Sequence, residues 1–81
     1  MPMQVFGITV RPGTNFANIE WFPVPGAVAY SVLLDNNIYS PIYTNSILAS
    51  NLQPRTTHQV SVAVYANGSW SSYSKPVQFT L

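Results

Sequence analysis

The chain has 81 residues, of which 47% are hydrophobic and only 6% are charged, and its formal net charge at pH 7 is +1. This length suits one small domain, which we assign to residues 1–81. The absence of cysteine excludes disulfides and thiolate metal sites, and so weak a net charge provides no field to hold nucleic acid or an anionic membrane surface.

Short β-strands separated by turns are predicted along the whole chain. Seven prolines and four glycines interrupt it, and β-branched and aromatic residues fill the segments between them. Pro41 lacks an N–H group, so the strand that contains it is expected at a sheet edge. The pattern predicts seven strands, at residues 5–10, 15–22, 29–35, 38–43, 46–51, 58–66 and 75–81.

Turn signals lie between these strands. Residues 11–13 are expected to end the first strand, and residues 23–27 to form a rigid loop that contains Pro and Gly. The polar turn at residues 35–37 and the Asn67-Gly68 pair both suit left-handed backbone. Asn67-Gly68-Ser69 also matches a glycosylation acceptor, but we interpret it as a plain turn.

Alternation along the strands predicts which side chains form the core, because successive residues of a strand point to opposite faces. The residues expected to face inward are Ala17, Ile19, Trp21, Tyr30, Val32, Leu34, His58, Val60, Val62, Val64, Val77 and Phe79. The residues expected to face outward include Asn18, Glu20, Ser31, Leu33, Gln59, Ser61 and Ala63. This spacing predicts an all-β sandwich.

The segment from Leu52 to His58 has the spacing Leu-x-Pro-x-Thr-x-aromatic, which resembles the corner before the sixth strand of a fibronectin type III domain. Trp21, the Pro-Val-Pro-Gly-Ala loop at 23–27, Tyr30-Ser31-Val32 and the last strand at 74–80 resemble the same family. The resemblance covers essentially the whole chain. It implies a seven-stranded antiparallel β-sandwich of the fibronectin type III, immunoglobulin-like kind.

One position departs from the family pattern. The family normally has Tyr where this chain has His58, and the tyrosine hydroxyl ties the corner to nearby backbone. We expect His58 to bond to backbone in its place and to stabilise the corner less well. The chain contains no Arg-Gly-Asp, so integrin binding is not carried over from the family.

Catalytic and metal chemistry has little support in this sequence. Glu20 and Asp35 are the only acids; one is expected mid-strand and the other in a turn, so we do not expect them to meet. One histidine without cysteine cannot supply the three or four ligands of a zinc site. We therefore predict no enzyme activity, no cofactor and no metal.

Several aromatic residues are not needed by the inward alternation of the core. Large aromatics beside Ser, Gly and Asn are typical of recognition surfaces, although they could also cover the ends of the core. The low charge favours a contact surface on the sheet formed by the third, fourth, sixth and seventh strands. The candidate partner-binding residues are Leu33, Tyr39, Tyr43, Tyr65, Trp70 and Tyr73.

No segment approaches the roughly 20 apolar residues of a membrane-spanning helix, and Met1-Pro2-Met3-Gln4 has no features of a signal peptide. We expect either an excised module or, preferentially, a complete small gene product. The expected function is a structural or binding module with protein partners, through self-association or a larger assembly. The first hypothesis is an accessory subunit of a virion, such as a bacteriophage capsid decoration or tail component; the alternatives are a spacer or adhesion module of a secreted multidomain protein and an engineered binder.

Overall fold

Alternating apolar and polar residues form the strands of this protein, and the strands assemble into two antiparallel sheets. The structure is a computed structural model that describes residues 4–81; residues 1–3, which belong to the segment predicted to have no features of a signal peptide, lie outside that range. The strands are β1 (Thr9–Pro12), β2 (Ala17–Glu20), β3 (Ala29–Leu34), β4 (Asn37–Ile42), β5 (Ser46–Ala49), β6 (Thr57–Ala66), β7 (Ser69–Trp70) and β8 (Val77–Thr80).

The small sheet has the order β1-β2-β5, and the large sheet has the order β4-β3-β6, with β7 and β8 both pairing with the far side of β6. The predicted all-β sandwich is confirmed. The predicted membership of the large sheet is also confirmed, because the third, fourth, sixth and last predicted strands all contribute to it.

The core lies between the two sheets and is lined by the inward-facing residues that alternation predicts. Trp21 contacts Tyr30 edge to face, with ring centroids 5.3 Å apart. The Tyr30 hydroxyl accepts a hydrogen bond of 2.9 Å from the Val24 amide, so this core residue also holds the loop before β3. The largest fully buried side chains are Ile19, Val32, Leu34, Val60, Val62 and Val64, together with Trp21.

The first predicted strand, residues 5–10, is wrong at both ends, because β1 begins at Thr9 and continues to Pro12. Gly7 has a φ of +73°, which breaks the extended backbone before the strand can begin. Pro12 is tolerated because β1 is an edge strand. Val5 lies outside the strand, yet it is buried in the core.

Residues 4–81 form eight strands where seven are predicted, because β7 lies at residues 69–70, in a stretch that the sequence predicts as a loop; the predicted last strand, residues 75–81, corresponds to β8. Tyr65 pairs with Trp70 in β7, and Val60 pairs with Val77 in β8, so the register changes by two residues between these pairs. Between these two pairs, the side chains of two serines form hydrogen bonds with backbone amides of β6. Ser71 Oγ accepts from the Val64 amide at 2.9 Å, and Ser74 Oγ accepts from the Val62 amide at 3.0 Å.

The predicted turns at residues 35–37 and 67–68 are confirmed, whereas residues 11 and 12, predicted to end the first strand, lie within β1. Asp35 has a φ of 55°, as the polar turn between β3 and β4 requires. Asn67 and Gly68 have φ values of 53° and 80°, which is the backbone of a two-residue hairpin loop between β6 and β7.

Candidate protein-binding surface

The outer face of the large sheet carries small buried residues at its centre. Residues paired directly across two strands share one face, and Ser31 pairs with Ala63 in the set that faces away from the core. Both are nevertheless buried, at 5% and 2% exposure. The predicted outward orientation is therefore correct, but a neighbouring segment covers these side chains.

The segment between β7 and β8 provides that cover. Because Ser71 and Ser74 stay bonded to β6, Ser72 and Tyr73 bulge out of the ladder between them. The Tyr73 hydroxyl lies 2.8 Å from Ser31 Oγ and forms a hydrogen bond with it. The bulge thus holds an aromatic side chain over the centre of the sheet.

Trp70 extends this aromatic surface along β7. Its ring lies 5.2 Å from the ring of Tyr65, its cross-strand partner, at an angle of 56°. Tyr65 is half-buried, whereas Trp70 is 47% exposed. Aromatic pairs in this geometry attract each other, so Tyr65 holds the Trp70 ring in place while leaving much of it accessible.

Together these side chains border a shallow cleft of about 240 Å³ on the outer face, which we call the aromatic cleft. Ile38 of β4, which is 62% exposed, lies on the side of the cleft away from β6. The lining residues are Ser31, Ile38, Ser40, Ala63, Trp70, Ser71 and Tyr73.

The aromatic cleft has hydroxyl and apolar groups but no charged side chain among its lining residues. Such a surface can bury apolar groups of a partner and hydrogen-bond with it through serine and tyrosine hydroxyls. Within residues 4–81, no group of three or more His, Cys, Asp or Glu side chains could hold a metal ion. The same residues contain no helix that could span a membrane.

Four of the six predicted partner-binding residues lie on this face: Leu33, Tyr65, Trp70 and Tyr73. The orientation predicted for Tyr39 is wrong. Tyr39 pairs with Val32, a core residue, so its side chain lies on the core side of β4. Tyr39 and Tyr43 instead line a separate groove between β4 and β5.

Ile38 and Ser71 line the aromatic cleft but are not among the predicted partner-binding residues. Ile38 pairs with Leu33, so a correct phase for β4 would have placed it on the outer face. Ser71 gives no such signal, because its position depends on a hydroxyl that bonds to a strand amide. Alternation does not detect that type of contact.

A chain of hydrogen bonds joins the corner to the turn between β3 and β4. His58 Nδ1 lies 2.7 Å from Asp35 Oδ2, and His58 Nε2 lies 2.6 Å from Thr56 Oγ1. The Thr56 hydroxyl donates to the Gln53 carbonyl. The expectation that His58 bonds to backbone is therefore wrong: its partners are two side chains, and one of them is an acid 23 positions away.

This network lowers the pKa of Asp35. Partial burial of the carboxyl group acts to raise the pKa, but the hydrogen bonds from His58 and from the Gln59 amide outweigh it. The Asp35 carboxyl consequently has a pKa below its usual value of 3.8. The network ties the corner that contains Thr56 to the turn that contains Asp35.

No family model matches the sequence. No curated protein matches it either. Similar folds are found among solved structures. A Fn3-like protein from Clostridium thermocellum superposes with a TM-score of 0.82 at 20% identity, over 95% of this chain and 90% of that one.

Two further structures show the same fold in other settings. The fibronectin type III domain of human fibronectin type III domain containing protein 3 has a TM-score of 0.81 at 16% identity, covering 98% of this chain and 84% of that one. A family 28 exopolygalacturonase from Yersinia enterocolitica has a TM-score of 0.82 at 14% identity, covering 96% of this chain but only 20% of the enzyme.

These matches confirm the predicted fold: the chain is a β-sandwich with the fibronectin type III fold. The identities are low, so the likeness concerns the fold alone.

Proposed function

We propose that this chain is a non-catalytic module that binds another protein through the aromatic cleft. The observation that carries the proposal is the half-exposed Trp70 beside Tyr73, over a floor of small buried residues, on a face whose cleft has no charged lining residue. Protein interfaces are enriched in Trp and Tyr and depleted of charge at their centres. The aromatic cleft has the composition of such a centre.

We further propose that the module is a small accessory subunit of a larger protein assembly such as a bacteriophage virion, where it would be located. The support is its composition: charged residues make up 6% of the chain, against about 25% in ordinary soluble domains. A surface with so little charge is poorly protected against association, which suits a subunit that neighbours cover. The choice of a virion is an analogy from the fold.

The second candidate is a spacer or adhesion module of a secreted multidomain protein. It is supported by the exopolygalacturonase, in which the matching region makes up 20% of a longer chain. An engineered binder on the same scaffold is a third candidate, supported by the Tyr, Ser and Trp content of residues 69–73.

Binding through the cleft is tested with Trp70→Ser, using Phe6→Ser as the matched control. Phe6 is 63% exposed and is not among the residues that line the aromatic cleft, so its removal costs similar apolar area elsewhere. Wild-type and variant proteins are used as baits in the cells that express the chain, and co-purifying proteins are quantified by mass spectrometry. We expect at least one partner to be lost with Trp70→Ser and retained with Phe6→Ser.

Thermal midpoints of the three proteins complete the test. The midpoint of Trp70→Ser should stay close to that of the wild type, because a half-exposed side chain contributes little to the core. A large fall in the midpoint of Trp70→Ser would show that Trp70 has a structural role. Equal loss of partners with both variants would show that the loss is not specific to the aromatic cleft. Either result would remove the proposal.

Whether the chain is a virion subunit or part of a multidomain protein is tested separately from binding through the aromatic cleft. Mass spectrometry of purified virus particles should detect this chain at constant stoichiometry if it is a virion subunit. Sequencing the coding region on both sides should reveal further domains in the same reading frame if the chain is part of a multidomain protein.

A further inference from the structure

The sandwich has two lateral sides, and they differ in how their strand edges are protected. On one side β1 lies next to β8. Arg11 and Pro12 lie in β1, and Lys75 and Pro76 lie just before β8. Charged residues and proline at sheet edges hinder pairing with other chains, so this side is protected.

The other side lies between β4 and β5, each of which pairs with a neighbour on one side only within the described range 4–81. A groove of about 740 Å³ separates the two strands. Its lining includes the side chains of Tyr43, Leu48 and Tyr39, which are 72%, 61% and 41% exposed. We call this side the open edge.

No charged residue occurs between Asn36 and Pro54, the segment that contains both strands of the open edge. Pro41 protects β4, but β5, with the sequence Ser-Ile-Leu-Ala, has neither proline nor charge. Its side chains alternate as a half-buried strand should: Ala49 is buried, Ile47 is half-buried, and Leu48 points outward. β5 is therefore a regular strand whose free edge carries none of the protective side chains found across the sandwich.

We propose that β5 is a self-pairing edge, at which a second copy of this chain adds its own β5 in antiparallel orientation. In such a two-fold pair the same residues of the two copies face one another, so a charged residue on the strand would be repelled by its own copy. The open edge meets this condition because it has no charge, and a net charge of +1 gives little repulsion between copies. The small sheets of the two copies would then form one continuous sheet, with Leu48 near the Leu48 of the second copy.

The length of β5 limits the strength of this pairing. Four residues form few interchain hydrogen bonds, so we expect a reversible dimer that appears at high protein concentration. The inference goes beyond the proposed function, since it uses the free edge of β5 in the small sheet, away from the aromatic cleft, and holds equally for an assembly subunit and for a spacer module.

The test is sedimentation equilibrium of the purified wild-type chain and two variants that each add one positive charge. Leu48→Lys places like charges close together across the two-fold pair. Gln78→Lys adds the same charge to β8, at the protected side. We expect the dimer dissociation constant to rise by at least about tenfold for Leu48→Lys and to stay within about twofold for Gln78→Lys.

Hydrogen exchange of the wild-type amides gives a measurement that does not depend on variants. Amides of β5 should exchange more slowly as the protein concentration rises, and amides of β8 should not. A chain that stays monomeric to millimolar concentration, or one in which both lysine variants weaken the dimer equally, would overturn the proposal. A dimer weakened by Trp70→Ser and not by Leu48→Lys would overturn it too, and would place self-association at the aromatic cleft.

Discussion

Trp21 contributes a large apolar ring to the core and also carries a buried N–H group without a hydrogen-bond partner among the described residues. Its ring is buried between the sheets against Tyr30, and its Nε1 has no hydrogen-bond partner within residues 4–81. Replacing Trp21 with Ala should lower the free energy of unfolding by about 3–5 kcal/mol, because a cavity remains in the core. Urea unfolding followed by circular dichroism measures this loss.

Trp21→Phe is the matched control for this prediction. It keeps an aromatic ring and removes the N–H group that lacks a partner, so its cost should be clearly smaller. Equal destabilisation by both variants would mean that the indole N–H finds a partner, such as an ordered water, and that losing this bond dominates the effect.

Asp35 makes the stability of this protein dependent on acid pH. Its pKa is lowered in the folded state, so the stabilisation is fully present above the usual value of 3.8 and is lost as the pH falls through the lower folded-state pKa. Asp35→Asn should therefore flatten the fall in thermal midpoint between about pH 5 and pH 2. Asn suits this position because it tolerates the φ of 55°.

Glu20→Gln is the control, because Glu20 is the second acid of the chain and pairs only loosely with Arg11, at 3.6 Å on the surface. Exposed pairs of this kind contribute little. The pH profile of Glu20→Gln should follow that of the wild type. A profile flattened by Glu20→Gln and unchanged by Asp35→Asn would show that the wrong acid has been assigned.

His58 shows what the sequence predicts and what it does not at the scale of single residues. Alternation along β6 and the family pattern both predict its inward position and its place at the corner. Its partner Asp35 is 23 residues away, and the contact exists because β3 and β6 pair in one particular register. A pattern of local periodicity contains no information on that register.

At the scale of elements, Gly7 and Gly68 distinguish two costs of adding a side chain in left-handed backbone: strain of the backbone itself and a clash with a neighbouring side chain. Their φ values are +73° and +80°. A methyl group at Gly7 would lie 2.5 Å from the Phe22 ring, whereas one at Gly68 would meet nothing within 4 Å. Gly68→Ala should cost about 1–2 kcal/mol through backbone strain alone. Gly7→Ala should cost at least about 1 kcal/mol more because Phe22 must move.

Chemical denaturation of both glycine variants tests this difference. Phe22→Ala combined with Gly7→Ala should bring the cost of Gly7→Ala down to that of Gly68→Ala. If the two single variants are equally destabilised, the Phe22 ring moves aside freely and makes no contribution to the path of the chain before β1.

The sequence predicts the bounds of a strand well where its alternation of apolar and polar residues ends at clear turn signals. β3 and β6 lie within about a residue of their predicted bounds, because alternation and strong turn signals coincide there. β7 lies where a loop is predicted, because the Ser71 and Ser74 hydroxyls continue the hydrogen bonding with β6 beyond Trp70. Serine in a strand is read as polar and outward, so this use of its side chain is not visible in the sequence.

At the scale of the whole molecule, the low charge and the sandwich architecture act together. Two of the three cationic residues, Arg11 and Lys75, lie at the side where β1 meets β8, and no charged residue lines the aromatic cleft or the groove of the open edge. The low charge could be read from the sequence. Its uneven distribution could not, because that depends on which strands become edges of which sheet.

Association through these uncharged surfaces should be nearly independent of ionic strength. Light scattering at fixed protein concentration should give the same mass from about 0.02 to 0.5 M sodium chloride, a range over which interactions between exposed charges are progressively screened. Sodium sulfate should instead increase the mass, because salts excluded from protein surfaces strengthen apolar burial. A mass that falls steadily with added chloride would show that the few charged side chains, and not the apolar surfaces, hold copies together. The open edge would then lose its physical basis as a self-pairing surface.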